Sequence, residues 1–278
     1  MNWYTKEDLG FYFGGNQEIQ KYNTNITKRR AEYPCETTNY LGVINQIEDN
    51  GYCIIPGVFS KEIVDNLKQE FDNNCLLGNI ASDDEHYTMI SDPLYYSKTS
   101  FNIATSDIIV DIASEYYKCT PYLCTQNFRL SKINNLPPKT TQLYHADQNS
   151  LKFIKFFIYL NDVDENGGPF AFVRGSNAKK FEYHLQKYRW EDKEIESYYG
   201  KENQLLLTAK AGDLIVAQTT GYHKGTKPIN NERYMLTLNY LIHKENGMTR
   251  NFKVKKEWVD NLIDIKKRSM FDLMDLVE

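Results

Sequence analysis

The chain reads as a mixed α and β protein with many strands, and three observations predict it. Lys152–Leu160 (KFIKFFIYL) is almost wholly β-branched or aromatic, the mark of a buried strand. Asp213–Gln218 (DLIVAQ) and Arg233–Ile242 (RYMLTLNYLI) have the same character. Between such runs, apolar residues recur at helical spacing: Ile63, Val64, Leu67 and Phe71 form one stripe, and Ile108, Ile109, Ile112, Ala113 and Tyr116 form another.

Taken in order, residues 1–36 are polar with scattered aromatics (Trp3, Tyr4, Phe11, Tyr12, Phe13) and show no period, so they read as an arm. Leu41, Ile44 and Ile47 predict a helix that Asn50-Gly51 stops. Tyr52–Ile55 is a short strand ended by Pro56-Gly57, and Ser60 caps the next helix. Residues 77–101 read as loop, with Asp83-Asp84-Glu85-His86 as a solvated, charged tip. Ser106 opens another helix. Tyr122–Ile133 is a strand in which Gln126, Phe128 and Leu130 alternate with Asn127, Arg129 and Ser131. Leu136-Pro137-Pro138-Lys139 is a turn. Phe181–Trp190 reads as helical, inside an insert that continues to Tyr199, and Val254 to Leu273 as an amphipathic C-terminal helix packed on the core or on a second subunit.

Two short stretches fit together as a metal site. One is Tyr144-His145-Ala146-Asp147; the other is Gly221-Tyr222-His223, followed by Arg233. In a strand, residues i and i+2 share a side, so His145 and Asp147 can chelate one ion with Ala146 facing away. The third ligand, His223, must come from another strand, and a β-sandwich could bring the strand ends together. Two imidazoles and a carboxylate suit non-heme Fe(II), with open positions left on the metal. Arg233 lies in an apolar alternating run. A buried arginine there requires an anion, and a dicarboxylate cosubstrate supplies one. A lone histidine at a strand end is ordinarily a satisfied polar residue. What argues for a site is the conjunction: His-x-Asp, a Gly-Gly-Pro turn, a Gly-Asp turn, a histidine, then an arginine on a strand.

On these residues the chain resembles the phytanoyl-CoA dioxygenase family of Fe(II)/2-oxoglutarate oxygenases over about residues 40–245. Asn50–Ser60 looks like the family's opening strand and turn, Asn161–Asn177 (NDVDENGGPFAFVRGSN) like its turn, strand and Pro-Gly-Ser-His segment, and Ala211-Gly212-Asp213 through His223 to Arg233 like its distal histidine and cosubstrate arginine. One departure is Gly175-Ser176-Asn177, which lacks the histidine. Another is that the serine or threonine near the distal histidine would be Thr226. The resemblance implies an α+β fold with a mainly β core, a double-stranded β-helix (jelly roll, cupin-like) flanked by helices. With no Pro/Gly/Ser-rich linker, internal repeat or low-complexity tract, the chain reads as a single domain over residues 1–278, with an arm (1–36), a core (40–245) and a C-terminal helix (250–278). The resemblance also implies His145, Asp147 and His223 as catalytic metal ligands, with Fe(II), 2-oxoglutarate and O2 as cofactor and cosubstrates.

For 2-oxoglutarate, the expected contacts are Arg233, then Thr226, Gln142 and Asn127. Gln142 ranks below Thr226 because strand alternation puts it opposite His145 and Asp147. For the substrate, the candidates are Arg129, Tyr95, Tyr96, Trp190 and Tyr198, on the segments expected to cover the open end of the barrel. Arg129 is equally open to a salt bridge, and the insert to a decorative role. Asp147 matters for the outcome: iron halogenases of this general type keep that position small for chloride. An aspartate favours hydroxylation, desaturation or ring closure of a small metabolite. The alternatives are a fold that lost catalysis, a metal-dependent hydrolase with the same ligands, and a metal-free ligand-binding jelly roll.

Bulk properties bound the rest. The net charge of −4 on 278 residues argues against a general nucleic-acid binder. Lys28-Arg29-Arg30 and Lys266-Lys267-Arg268 read as solvated faces. Five cysteines without a Cys-x-x-Cys pair read as reduced thiols of a cytoplasmic protein. The stretch Met1–Glu7 lacks the long apolar core of a signal peptide, no apolar run reaches membrane-spanning length, and the expected assembly is a monomer or homodimer without a membrane partner.

Overall fold

The computed structural model describes residues 3–4, 15–181, 186–244 and 250–278. In chain order its strands are β1 (Trp3–Tyr4), β2 (Tyr52–Ile55), β3 (Ser82–Asp83), β4 (Tyr87–Ile90), β5 (Tyr122–Ser131), β6 (Ile154–Tyr159) and β7 (Phe170–Val173). There follow β8 (Lys180–Phe181), β9 (Gln204–Leu207), β10 (Leu214–Ala217), β11 (His223–Gly225), β12 (Arg233–Leu241), β13 (Lys253–Lys255) and β14 (Asp275–Val277). A seven-stranded sheet runs β2-β10-β6-β12-β5-β4-β3, and a three-stranded sheet runs β11-β7-β9. Every pairing within these two sheets is antiparallel.

Strand alternation gives the large sheet two chemically different faces. On one, Phe128, Phe156, Ile158, Leu214, Val216, Leu236 and Leu238 pack against helical residues such as Leu67, Phe71, Ile109 and Ile112. On the other, Phe157, Tyr159, Ile215, Ala217 and Met235 meet Phe170, Phe172 and Leu207 of the small sheet. Burial of each such side chain contributes about 1.5–3 kcal/mol. The small sheet's outer face, through Ala171 and Val173, is covered by Tyr144, Phe181, Trp190, Ile195 and Tyr222. The result is a jelly roll with helices on the far side of its larger sheet.

The helices at Leu41–Asn50, Lys61–Leu76 and Asp107–Tyr117 stand where the apolar spacing puts them. Ser60 caps the second, accepting a hydrogen bond from Ile63 N at 3.4 Å. Five readings require correction. The arm contains an 18-residue helix, Gly15–Glu32, held not by its own period but by tertiary contacts. Its Arg29 is not solvated: it is 1% exposed. It donates to Thr120 O at 2.7 Å and Ser269 O at 2.8 Å, and lies over the Tyr33 and Tyr122 rings. Phe11, Tyr12 and Phe13 lie outside the described residues. Residues 77–101 hold β3, β4 and two short helices rather than plain loop. The insert's helix is Asp192–Tyr199; within 181–190, residues 182–185 lie outside the described residues and Trp190 forms an isolated bridge with Tyr144. The C-terminal segment is two short helices, Lys256–Asp260 and Ile265–Ser269, with β13 and β14 paired in parallel. Val254, Val259, Met270 and Phe271 are buried in the main core, so this segment packs on its own chain. Among the described residues no helix is long and apolar enough to cross a membrane, and all five cysteines are free.

Candidate metal centre

His145 and His223 face each other across an isolated two-residue bridge. Each backbone N–H donates to the other's carbonyl, at 3.0 and 2.9 Å. Asp147 N donates to Thr219 O at 2.9 Å, outside the regular register of that bridge. The strand expected around His145 is thus a pair of bridges rather than a regular strand. On its other side, Tyr144 and Trp190 exchange backbone hydrogen bonds of 3.0 and 2.8 Å.

The three side chains converge, with one ligand atom from each lying within 4.8 Å of the others. His145 Nε2 is 3.8 Å from Asp147 Oδ1, and His223 Nε2 is 3.5 Å from Asp147 Oδ2. Each histidine has Nδ1 2.9 Å from a backbone carbonyl two residues earlier, Leu143 O and Gly221 O. A carbonyl only accepts, so Nδ1 carries the proton and the Nε2 lone pair is presented to the centre. Burial pushes the His145 pKa down to about 4 and that of His223 down to about 3, so both rings are neutral at pH 7. Burial opposes ionisation of Asp147, but the Lys155 ammonium and the two imidazoles outweigh it and hold its carboxyl well below the usual range. Two neutral imidazoles and one carboxylate, each already oriented, fit a divalent transition ion such as Fe(II).

The triad opens into a cavity of about 130 Å³ between the two sheets. Asn127, Arg129, Met235, Thr237 and Arg233 line it from the inner face of β5 and β12, in register as Asn127↔Thr237 and Arg129↔Met235. Phe157, Phe170, Thr141 and Gly225 complete much of the wall. Arg233 is 3% exposed and has no carboxylate partner among the described residues. It donates to Gly168 O and, at 3.0 Å, to Ser131 Oγ, while its Nε has no partner. Burial lowers its pKa, which is the physical sign of a cation that wants a counter-ion. The Gly-Gly-Pro turn supplies the Gly168 carbonyl that accepts from this arginine, and packs closely on the 226–228 backbone. Gly168 has φ +73°, and a Cβ there would lie 2.6 Å from Pro228 N. Gly225 keeps the opposite side clear: a Cβ would lie 3.0 Å from Arg233 Nη2.

The other candidates fall differently. Asn127 and Arg129 line the cavity. Arg129 makes no ion pair among the described residues; it donates to Thr141 Oγ1 at 3.2 Å and lies over the Tyr87 ring, leaving Nε unpartnered. Thr226 is not on the cavity wall, and its hydroxyl donates to Pro169 O at 2.6 Å, bracing the turn. Gln142 borders only a small adjoining recess; its Oε1 accepts from Lys139 N at 3.2 Å and lies 3.0 Å from His86 Nδ1. His86 is therefore buried and bonded rather than part of a solvated tip. Tyr95 and Tyr96 form an edge-to-face pair on the helical side of the large sheet, where Tyr96 joins the main core. Trp190 and Tyr198 belong to the cluster outside the small sheet, with Tyr198 stacked on Phe181 at 3.8 Å. None of these four aromatics borders the cavity. Asn177, in place of the expected histidine, donates to Gln218 Oε1 at 2.8 Å, away from the metal ligands. Its neighbour Ser176 accepts from Tyr222 N at 2.7 Å and so fixes the approach to His223.

Sequence reasoning missed Lys155, Phe157, Phe170, Met235 and Thr237 as cavity residues. Counting by twos from Arg233 gives Met235 and Thr237. Lys155 is the inward polar residue of an otherwise apolar strand.

The family model for phytanoyl-CoA dioxygenase (PhyH) matches residues 47–231, a span that contains His145, Asp147 and His223 and ends two positions before Arg233. Solved structures share the fold at low identity. The epimerase SnoN from nogalamycin biosynthesis is 17% identical with a TM-score of 0.54, covering 72% of this chain and 81% of its own. EctD from S. alaskensis is 15% identical with a TM-score of 0.57, covering 71% and 75%. HygX from Streptomyces hygroscopicus, with nickel and 2-oxoglutarate bound, is 14% identical with a TM-score of 0.53, covering 72% and 85%. A curated truncated thymidylate kinase of African swine fever virus is 28% identical over 95 residues, 31% of this chain; the match spans about half, 46%, of that protein. The phosphate-binding Gly-x-x-x-x-Gly-Lys-Ser/Thr loop is absent from this sequence.

Proposed function

The chain belongs to the phytanoyl-CoA dioxygenase family, and on that premise we propose that it is an Fe(II)- and 2-oxoglutarate-dependent oxygenase of a small metabolite. One observation carries this reading. A preoriented His145–Asp147–His223 set and a buried arginine without a carboxylate partner border the same cavity. A hydrolase needs the first but gives no reason for the second.

In this reading, His145 and His223 hold Fe(II) through Nε2 and Asp147 through its carboxylate. Fe(II) with 2-oxoglutarate and O2 supplies the oxidation of an unactivated C–H bond, with succinate and CO2 as the cosubstrate's products. Arg233 binds the distal carboxylate of 2-oxoglutarate through its planar fork. Phe157, Phe170 and Met235 line the path between with apolar surface, which excludes water and strengthens the charge pairing. Asp147 fills the carboxylate position, which favours hydroxylation, desaturation or ring closure over halogenation. That SnoN and HygX belong to or bind natural products supports a role in biosynthesis of that kind.

Succinate formation tests the proposal. Purified protein should convert 2-oxoglutarate to succinate only with Fe(II) and O2 present, and a screen of candidate metabolites should identify those that stimulate it. Succinate formed equally without added metal after chelation, or none under any condition, would count against the proposal.

A further inference from the structure

The oxygenase reading leaves an excess of positive charge in the cavity. Its wall carries Arg129, Lys155 and Arg233, and Asp147 is the one acid on it among the described residues. Lys155 Nζ lies 2.7 Å from Asp147 Oδ2, and the two side chains are 17% and 11% exposed. Lys155 has no other carboxylate partner among the described residues. A dication held by His145, Asp147 and His223 draws on the Asp147 charge and repels the ammonium. One 2-oxoglutarate dianion offsets only the charge of the dication. Two positive charges then stay unbalanced among side chains that are mostly withdrawn from water, where an unpaired charge is unfavourable.

The position of Lys155 says where the missing anion goes. The two arginines stand together at one end, Arg129 paired with Met235 and Arg233 with Ser131. Both also border the recess behind Thr141 and Gln142. That end receives the distal carboxylate. Lys155 stands at the other end of the sheet, paired with Asn239 and Ala217, beside the ligands where a reacting carbon must lie. Lys155 faces inward from an otherwise apolar strand, and its partner there is Asp147, the carboxylate that a bound dication would also draw on.

Resting on the oxygenase reading, we propose that the substrate is itself a small organic acid, a carboxylate or a phosphate ester. Lys155 anchors its anionic group next to the metal ligands. The acid group therefore lies close to the carbon that is oxidised, and Lys155 acts as a specificity-determining residue.

The test uses full-length protein loaded with Ni(II) and 2-oxoglutarate, with both loadings measured first by calorimetry. Propionate, n-propyl phosphate and neutral propionamide are then titrated into wild type, Lys155→Gln and Lys155→Arg. At least one of the two anions should bind wild type, while propionamide does not; which anion binds distinguishes carboxylate from phosphate. The affinity should fall by about tenfold or more in Lys155→Gln, the loss of a charge-assisted hydrogen bond, and recover in Lys155→Arg. Equal anion affinity in wild type and Lys155→Gln, or binding of propionamide as tight as that of the anions, would overturn the proposal. So would displacement of 2-oxoglutarate by the anion. If Ni(II) or 2-oxoglutarate fails to load wild type, it is the oxygenase reading that falls. A melting curve for each variant separates loss of the anchor from loss of the fold.

Discussion

The two faces of the seven-stranded sheet are made by the same strands, yet they obey opposite rules. The helix-covered face carries Phe128, Phe156, Leu236 and Leu238 and repays its burial in stability. At the alternate positions of the same strands, the cavity face carries Asn127, Arg129, Lys155, Thr237 and Arg233. Polar and charged groups placed there cost stability unless something binds them. Part of the inner face, Phe157, Tyr159, Ile215 and Met235, is packed core between the sheets; its polar and charged part is what the proposed ligands would account for.

The comparison breaks most directly at a matched pair. His223→Ala removes an inner ligand and should weaken divalent-metal binding by ~100-fold or more, with a small change in melting temperature. Leu238→Ala, on the outer face, should cost ~2–5 kcal/mol of stability and leave metal affinity near that of wild type. Calorimetric metal titration beside a denaturation curve separates the two. Loss of both properties together in His223→Ala would erase the distinction between the faces.

A smaller effect sharpens the role of Arg233. Arg233→Lys retains the charge and loses the fork, so the 2-oxoglutarate Michaelis constant should rise by roughly tenfold, within the ~1.5–3 kcal/mol of a charge-assisted bond. Iron affinity should hold. Gly225→Ala presses on the same guanidinium from the other side. It should raise that constant by about threefold to tenfold, the cost of one weakened hydrogen bond. An unchanged constant in both variants would move the cosubstrate site to Arg129.

The smallest effect concerns the aromatics outside the small sheet. Tyr198→Ala removes a ring stacked on Phe181 and should cost about 1 kcal/mol of stability. Coupled and uncoupled succinate formation should fall together, if at all. A selective loss of coupled turnover would return Tyr198 to the substrate pocket.

The triad, Arg233 and the core strands were legible because their signals are local. His145 and Asp147 obey a two-residue period, and Arg233 interrupts an apolar strand. The helix at Gly15–Glu32 was not legible, since its Arg29 is buried by Thr120, Tyr122 and Ser269, which are far away in sequence. Tyr95, Tyr96, Trp190 and Tyr198 were assigned to the pocket from segment position alone. Their sides were decided by pairings that no local period encodes, such as the Tyr144–Trp190 bridge. Lys155 was legible in principle: it breaks the run KFIKFFIYL on the side that faces Asp147.

The central claim is that one cavity holds a metal and 2-oxoglutarate together. An anaerobic titration of 2-oxoglutarate into Fe(II)-loaded and metal-free protein tests it directly. The structure predicts one 2-oxoglutarate per chain, with affinity at least ~10-fold higher when Fe(II) is present, because chelation adds to the Arg233 pair. Equal affinity with and without Fe(II), or no binding to the loaded protein, would contradict it.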